Sequence, residues 1–181
     1  MKDEIIVVFD TETTGLLPRK GSDLSLYPHM AEIYAAQINQ KTGDLIKEID
    51  TLIKIPVPMP PKLTKTCHGI TDEMMSDKPT FVEVYPQIAE VFRGASVVVA
   101  ANVMLDIGVL VGELRRIDMQ YAFPYPPERF CIIAEYQRRT GQRLSNSKLY
   151  KLATGEELLG AHRAKADVMA TYATYSWLKE V

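Results

Sequence analysis

Short runs of apolar and β-branched residues open the chain and predict strands. Residues 4–12 form such a run without helical periodicity and end in two acids, which is the pattern of a buried strand. Two further strand-like runs, at residues 31–40 and 45–55, flank a polar turn at residues 41–44. Residues 16–30 contain two prolines and a glycine and predict a long loop. The chain therefore begins with three strands.

Helical spacing of apolar positions appears after residue 80. Thr80 and Glu83 match a capping box, and the positions that follow predict a helix over residues 81–92. A wholly apolar run at residues 95–101 predicts a strand covered on both faces. The prolines at residues 56–61 predict an extended connector. The other predicted elements are a helix over 106–117, a strand over 129–133, a short helix over 148–153 and a final amphipathic helix over 165–178.

Strands followed by alternating helices and strands predict an α/β domain with a mixed sheet. With 181 residues, of which 46% are hydrophobic, the chain is long enough to bury its own core, so we expect one domain over residues 1–181. Its longest apolar stretch falls short of the roughly 20 residues that span a bilayer, so we expect no membrane contact. Asp3 and Glu4 stand where a signal peptide needs positive charge, which favours a cytoplasmic protein.

The net charge and the cysteine spacing argue against a DNA-coating protein and against a disulfide- or zinc-stabilised fold. A net charge of −2 argues against a sequence-independent DNA coat, although an enzyme that gathers carboxylates around metal ions would also have a low net charge. Cys67 and Cys131 lie far apart without metal-ligand spacing, so neither a disulfide framework nor a zinc site is expected.

Acidic residues supply the candidate chemistry. Asp10 and Glu12 are two positions apart on a predicted strand, so their side chains leave the same face and repel one another unless a cation neutralises them. Oxygen ligands of this kind suit Mg²⁺ or Mn²⁺. Asp106 follows a buried strand, and His162 can join Asp167 only if a helix begins between them. Taken singly, these residues would be ordinary strand-end, helix-cap and surface groups.

Three segments together resemble the motifs of the DEDDh, or DnaQ-like, 3′-to-5′ exonucleases, a family that includes the proofreading subunit of bacterial DNA polymerase III and ribonuclease T. They are FDTETTG at Phe9–Gly15, the segment at residues 101–106, and a match to HxAxxD that begins at His162. The second segment departs from the family pattern, because Ala101 and Leu105 replace a histidine and a phenylalanine. The resemblance implies a ribonuclease H-like fold, with a mixed β-sheet flanked by α-helices.

The resemblance also implies the roles of individual residues and the reaction. Four acids would hold two Mg²⁺ ions, with Mn²⁺ as a substitute, and His162 would remove a proton from the attacking water; the acids are Asp10, Glu12, Asp106 and Asp167. The reaction would hydrolyse single-stranded DNA, or frayed 3′ ends, to nucleoside 5′-monophosphates. The expected substrate-binding residues are Thr11, Thr13, Thr14, Gly15, Leu16, His68 and Asn102.

The expected partner is single-stranded nucleic acid with a free 3′ hydroxyl, with DNA favoured over RNA. The same chemistry on RNA remains an alternative, because the contacts that read a 2′ hydroxyl come from loops. An inactive nucleic-acid-binding domain is disfavoured, because such a domain would have no reason to keep the four acids and His162 together. A glycosidase that uses Asp10 and Glu12 as its acid/base pair is disfavoured by the two further acids. Because the chain ends soon after the helix with Asp167, we expect a stand-alone nuclease with at most a transient polymerase or replication partner.

Overall fold

A computed structural model of the protein describes residues 4–180. The predictions that rest on Asp3 and on the chain end at Val181 lie outside this range. Within it, five strands form one mixed sheet in the order β3-β2-β1-β4-β5. Their bounds are Ile5–Thr13 for β1, Met30–Asn39 for β2, Leu45–Leu52 for β3, Val97–Ala100 for β4 and Glu128–Cys131 for β5.

Strand β1 lies at the centre of the sheet and is covered on both faces. It pairs antiparallel with β2 along its whole length and parallel with β4. Val7 and Phe9 enter one hydrophobic core, and Ile6 and Val8 enter a second core on the opposite face. Burial on both faces explains why the first half of β1 is apolar without alternation.

Helices cover both faces of the sheet. Their bounds are Pro61–Thr66 for α1, Asp72–Met75 for α2, Phe81–Phe92 for α3, Val103–Arg116 for α4, Ile132–Thr140 for α5, Asn146–Thr154 for α6 and Ala164–Glu180 for α7. Helices α3 and α4 pack on the face with Phe9, and α5, α6 and α7 pack on the other. No helix within residues 4–180 combines the length and the apolar character that a bilayer span requires.

The α/β class, the three opening strands and the helix over residues 81–92 are confirmed. The predicted strand over residues 129–133 is wrong in its second half, because β5 ends at Cys131 and α5 begins at the next residue. The extended connector also ends earlier than predicted, since Pro61 begins α1, where a proline costs no hydrogen bond. Helix α4 begins at Val103, which places Asp106 in its first turn.

The long loop predicted over residues 16–30 ends at His29, because β2 begins at Met30, and it is fixed against α4. The Arg116 guanidinium donates to the backbone oxygens of Tyr27 and Pro28, at 2.6 and 3.3 Å. Gly112 leaves room for the Tyr27 ring, because a Cβ at this position would lie 3.2 Å from that ring. Helix α4 therefore holds both the long loop and Asp106, which borders the acidic end of β1.

Candidate active site

Three carboxylates converge at the C-terminal end of β1. Asp10 and Glu12 leave the same face of the strand, and Asp167 approaches them from the first turn of α7. One oxygen from each of the three lies within 4.8 Å of the others. The predicted start of a helix between His162 and Asp167 is confirmed, since α7 begins at Ala164. Elements that are distant in sequence thus bring these acids together.

Asp106 borders the same cavity but is held apart from this cluster. Its side chain is 2% exposed, and its Oδ1 accepts hydrogen bonds from the backbone N and from the Oγ1 of Thr11, at 3.1 and 2.9 Å. These two bonds link the first turn of α4 to the end of β1. Asp106 therefore has a structural contact in addition to any contact with a ligand.

The cavity beside the acids has a volume of about 310 Å³. Its walls come from β1 and the turn after it, the loop around His68, the start of α4, the start of α6 and the loop before α7. The lining residues are Asp10, Thr11, Glu12, Thr13, Gly15, Leu16, Leu63, Cys67, His68, Ala101, Asn102, Leu105, Asp106, Asn146, His162 and Asp167.

Burial and mutual repulsion raise the pKa values of three of the acids, Asp10, Glu12 and Asp106. Burial, and then the nearby charges of Asp167 and Glu32, raise the pKa of Glu12 to about 8. Burial also raises the pKa of Asp106 to about 7, although its bonds from Thr11 oppose that rise. The pKa of Asp10 is raised well above its ordinary value by burial and then by Asp106 and Asp167. A divalent cation would relieve this repulsion, and the carboxylate oxygens suit a hard cation.

His162 and Asp167 are joined by a backbone contact. The backbone N of His162 donates to Asp167 Oδ2 at 2.7 Å, and His162 has a positive φ of 65°, which few residues other than glycine adopt. Its imidazole is exposed at the cavity, where Nδ1 lies 3.9 Å from the Cys67 sulfur. Asp167 therefore restrains the loop that presents the imidazole.

Two contacts at α7 were not predicted from the sequence. Asn146 donates from Nδ2 to Asp167 Oδ1 at 3.0 Å. Glu32, the cross-strand neighbour of Glu12, pairs with the Arg163 guanidinium at 2.6 Å and accepts from the backbone N of Ala164 at 3.1 Å. The sequence signals were weak: Asn146 stands two positions before the helix predicted over residues 148–153, and Glu32 is an acid within an apolar strand.

Most of the predicted substrate-binding residues line the cavity, and Thr14 does not. The Thr14 hydroxyl accepts from the backbone N of His29 at 2.9 Å, so this residue anchors the end of β1 to the start of β2. Leu16 is 83% exposed, and the Asn102 side chain makes no capping bond to α4. Both side chains are therefore available at the cavity.

His68 presents a buried nitrogen at the cavity. Its Nδ1 accepts from the backbone N of Ile70 at 3.1 Å, so in the neutral ring the proton lies on Nε2. That Nε2 is buried and has no partner among residues 4–180. Burial lowers the pKa of His68, which favours the neutral ring. The neutral ring therefore carries its proton on a buried Nε2 at the edge of the cavity.

Sequence comparisons relate the chain to exonucleases. A family model described as exonuclease, the RNase T family, matches residues 7–175. The chain is 31% identical over 167 residues to a PolC-type DNA polymerase III from Caldanaerobacter subterraneus, which covers 91% of this chain and 11% of that protein. It is 34% identical over 178 residues to a putative bifunctional exonuclease/endonuclease protein from Mycobacterium tuberculosis, covering 94% of this chain and 26% of that protein. A DNA polymerase III epsilon subunit from Treponema pallidum is 29% identical over 159 residues, and the match covers 88% of this chain and 69% of that protein.

Solved structures show the same fold. The nuclease domain of 3′hExo, a DEDDh family member bound to rAMP, superimposes with a TM-score of 0.76 at 12% identity, covering 99% of this chain and 93% of that chain. Exonuclease X in complex with 5′ overhanging duplex DNA gives a TM-score of 0.66 at 24% identity, covering 97% and 91%. The predicted ribonuclease H-like sheet flanked by helices is therefore confirmed.

We expect the metal-free protein to lose stability as the pH rises. An acid whose pKa is higher in the folded than in the unfolded chain stabilises the fold at low pH, and this stabilisation is lost as the pH rises through the folded value. For Glu12 that window runs from about 4 in the unfolded chain to about 8 in the folded one. Melting temperatures measured in a chelator should fall across this window. Glu12→Gln should flatten the slope, and a parallel curve for this variant would contradict the assignment.

We expect Asp106→Ala to destabilise the metal-free protein by about 1 to 3 kcal/mol, because it leaves the buried backbone N–H of Thr11 without an acceptor. Asp10→Ala is the matched control, since it removes a repelling carboxylate and leaves that bond in place. Chemical denaturation in a chelator measures both variants. If both variants lost the same amount of stability, the hydrogen bonds between Thr11 and Asp106 would not contribute the expected stabilisation.

Proposed function

Because the chain belongs to the RNase T exonuclease family, we propose that it is a metal-dependent 3′-to-5′ exonuclease. It would act on single-stranded DNA or frayed 3′ ends and release nucleoside 5′-monophosphates. The observation that carries this proposal is the convergence of the carboxylates of Asp10, Glu12 and Asp167 beside His162 in one cavity.

The acids fit divalent cations. We assign two Mg²⁺ ions, for which Mn²⁺ can substitute, to Asp10, Glu12, Asp106 and Asp167. The raised pKa values of three of these acids indicate that the cluster lacks a compensating positive charge. Arg163 lowers the pKa of Glu12, but its guanidinium is already paired with Glu32. When bound, the ions would supply the positive charge that offsets negative charge on the attacking and leaving oxygens.

His162 would remove a proton from the attacking water. Its ring is exposed at the cavity, and the bond from its backbone N to Asp167 fixes the loop that carries it. Nε2 would accept that proton in the tautomer in which Nδ1 carries the ring hydrogen and directs it toward the Cys67 sulfur, 3.9 Å away.

The terminal nucleotide would bind in the cavity next to the acids. Thr11, Thr13 and Gly15 would bind its 3′ hydroxyl and phosphate through backbone groups, and the exposed Leu16 would pack against its base. The unpartnered Nε2 of His68 would donate to a sugar or phosphate oxygen, and Asn102 would contribute an amide. Thr14 would hold the loop in place from outside the cavity.

DNA is the favoured substrate class because two relatives are a PolC-type DNA polymerase III and a DNA polymerase III epsilon subunit, and because exonuclease X is in complex with 5′ overhanging duplex DNA. RNA is the second candidate, since the nuclease domain of 3′hExo is bound to rAMP. The polymerase relatives also favour a transient polymerase or replication partner. The family match supports one exonuclease domain over residues 1–181.

The polarity of cleavage tests the proposal directly. A 5′-labelled single-stranded DNA should shorten stepwise in Mg²⁺, while a 3′-phosphorylated copy should react slowly because the free hydroxyl is part of the bound end. An RNA of the same sequence, tested in parallel, measures the DNA preference. Cuts within a closed circle, or immediate release of the 5′ label, would contradict 3′-to-5′ digestion. Binding without cleavage would indicate the inactive domain.

His162→Ala should slow the single-turnover reaction at saturating Mg²⁺ by about 10²- to 10⁴-fold, the usual contribution of a positioned base. Cation binding by the variant, measured by calorimetry, should be unchanged, because the imidazole is not assigned to the cations. A variant rate within a few-fold of the wild-type rate would remove His162 from the reaction.

A further inference from the structure

Asn146 makes two hydrogen bonds to Asp167 across the contact between α6 and α7. Its Nδ2 donates to Asp167 Oδ1 and to the Asp167 backbone oxygen, both at 3.0 Å. Its own Oδ1 accepts from the Thr171 hydroxyl at 3.4 Å. Asn146 is half-buried and lines the cavity that holds the acidic cluster. The Asn146 amide is thus hydrogen-bonded to one of the three clustered carboxylates.

The surroundings determine which way the amide points. In the opposite orientation its oxygen would face two acceptors, the carboxylate and the backbone oxygen of Asp167. Both contacts would then be repulsive. The Thr171 hydroxyl can accept or donate, so it tolerates either orientation. The two contacts with Asp167 therefore fix the amide with its nitrogen toward the carboxylate.

Capping of α6 does not require this amide. The residue before it, Ser145, caps the helix, because its Oγ accepts from the backbone N of Lys148 at 3.4 Å. Leu149, fully buried in the second core, anchors the same helix by packing. The Asn146 side chain is therefore directed at Asp167 and not at the start of its own helix.

Asp167 needs such restraint because its neighbours repel it. Asp10 and Glu12 share its cluster, and repulsion would favour rotation of the Asp167 side chain away from them. Asn146 holds Oδ1, and the His162 backbone N holds Oδ2. Each oxygen retains a lone pair for a cation. The two donors thus fix the carboxylate without neutralising it.

We propose that Asn146 is a positioning residue for the reaction, which acts by orienting the Asp167 carboxylate toward the bound cations. This inference rests on the proposed metal-dependent function. Partners that orient metal ligands are worth about 10- to 100-fold in metal affinity or activity when they are removed. The loss should therefore appear first in cation binding.

The test measures Mn²⁺ binding to the metal-free protein by calorimetry. Asn146→Ala and Asn146→Ser should each raise the Kd for Mn²⁺ by about 10- to 100-fold. Ser145→Ala is the matched control, since it weakens the start of α6 without touching Asp167. It should lower the melting temperature and leave the Mn²⁺ Kd within about twofold of the wild-type value. If Asn146→Ala does not fold, Asn146→Ser carries the comparison, because serine is accepted at helix starts.

Activity gives the second readout. The Mg²⁺ concentration that gives half the maximal rate should rise in both Asn146 variants, and saturating Mg²⁺ should restore part of kcat. A merely structural role would lower stability and kcat without changing cation affinity. A Mn²⁺ Kd within about twofold of wild type in a folded Asn146 variant would overturn the inference. Failure of the wild-type protein to bind Mn²⁺ would overturn the proposed cation site itself.

Discussion

Repulsion among carboxylates at the end of a buried strand is the constraint on which the site depends. Asp10 and Glu12 are fixed on one face of β1 by the alternation of the strand, and tertiary packing brings Asp106 and Asp167 toward them. Neutral hydrogen-bond donors restrain these two acids. Thr11 donates to Asp106, and the His162 backbone N and the Asn146 amide donate to Asp167. These donors orient the acids without cancelling their charge. The arrangement is therefore costly when metal-free and suited to cations.

The Glu32–Arg163 ion pair shows how the fold limits this cost. Glu32 faces Glu12 across the β1–β2 ladder and would add a further negative charge to the cluster. Arg163 pairs with it through a bidentate contact, in which Nε donates to Oε2 and Nη2 donates to Oε1, and Glu32 also accepts from the backbone N of Ala164 at the start of α7. One ion pair thus offsets part of the charge that Glu32 adds to the cluster and fixes the start of the helix that carries Asp167.

Local sequence patterns predicted those elements whose bounds depend on residues that are close in sequence. The capping box at Thr80 and Glu83 predicted the start of α3, and the spacing of His162 and Asp167 required a helix to begin between them. Helix α5 was missed because it follows β5 without an intervening turn signal and is rich in charged residues. Asn146 was missed because its function depends on a contact 21 residues away that no periodicity records.

A crystal structure of the protein soaked with Mn²⁺ would locate the cations by their anomalous scattering, without reference to activity. We expect an anomalous peak at the carboxylate oxygens of Asp10, Glu12 and Asp167, with a second peak adjoining Asp106. Asn146 and the His162 backbone N should keep their bonds to Asp167. A carboxylate cluster without an anomalous peak at saturating Mn²⁺, or Mn²⁺ bound only elsewhere on the protein, would contradict the proposed cation site.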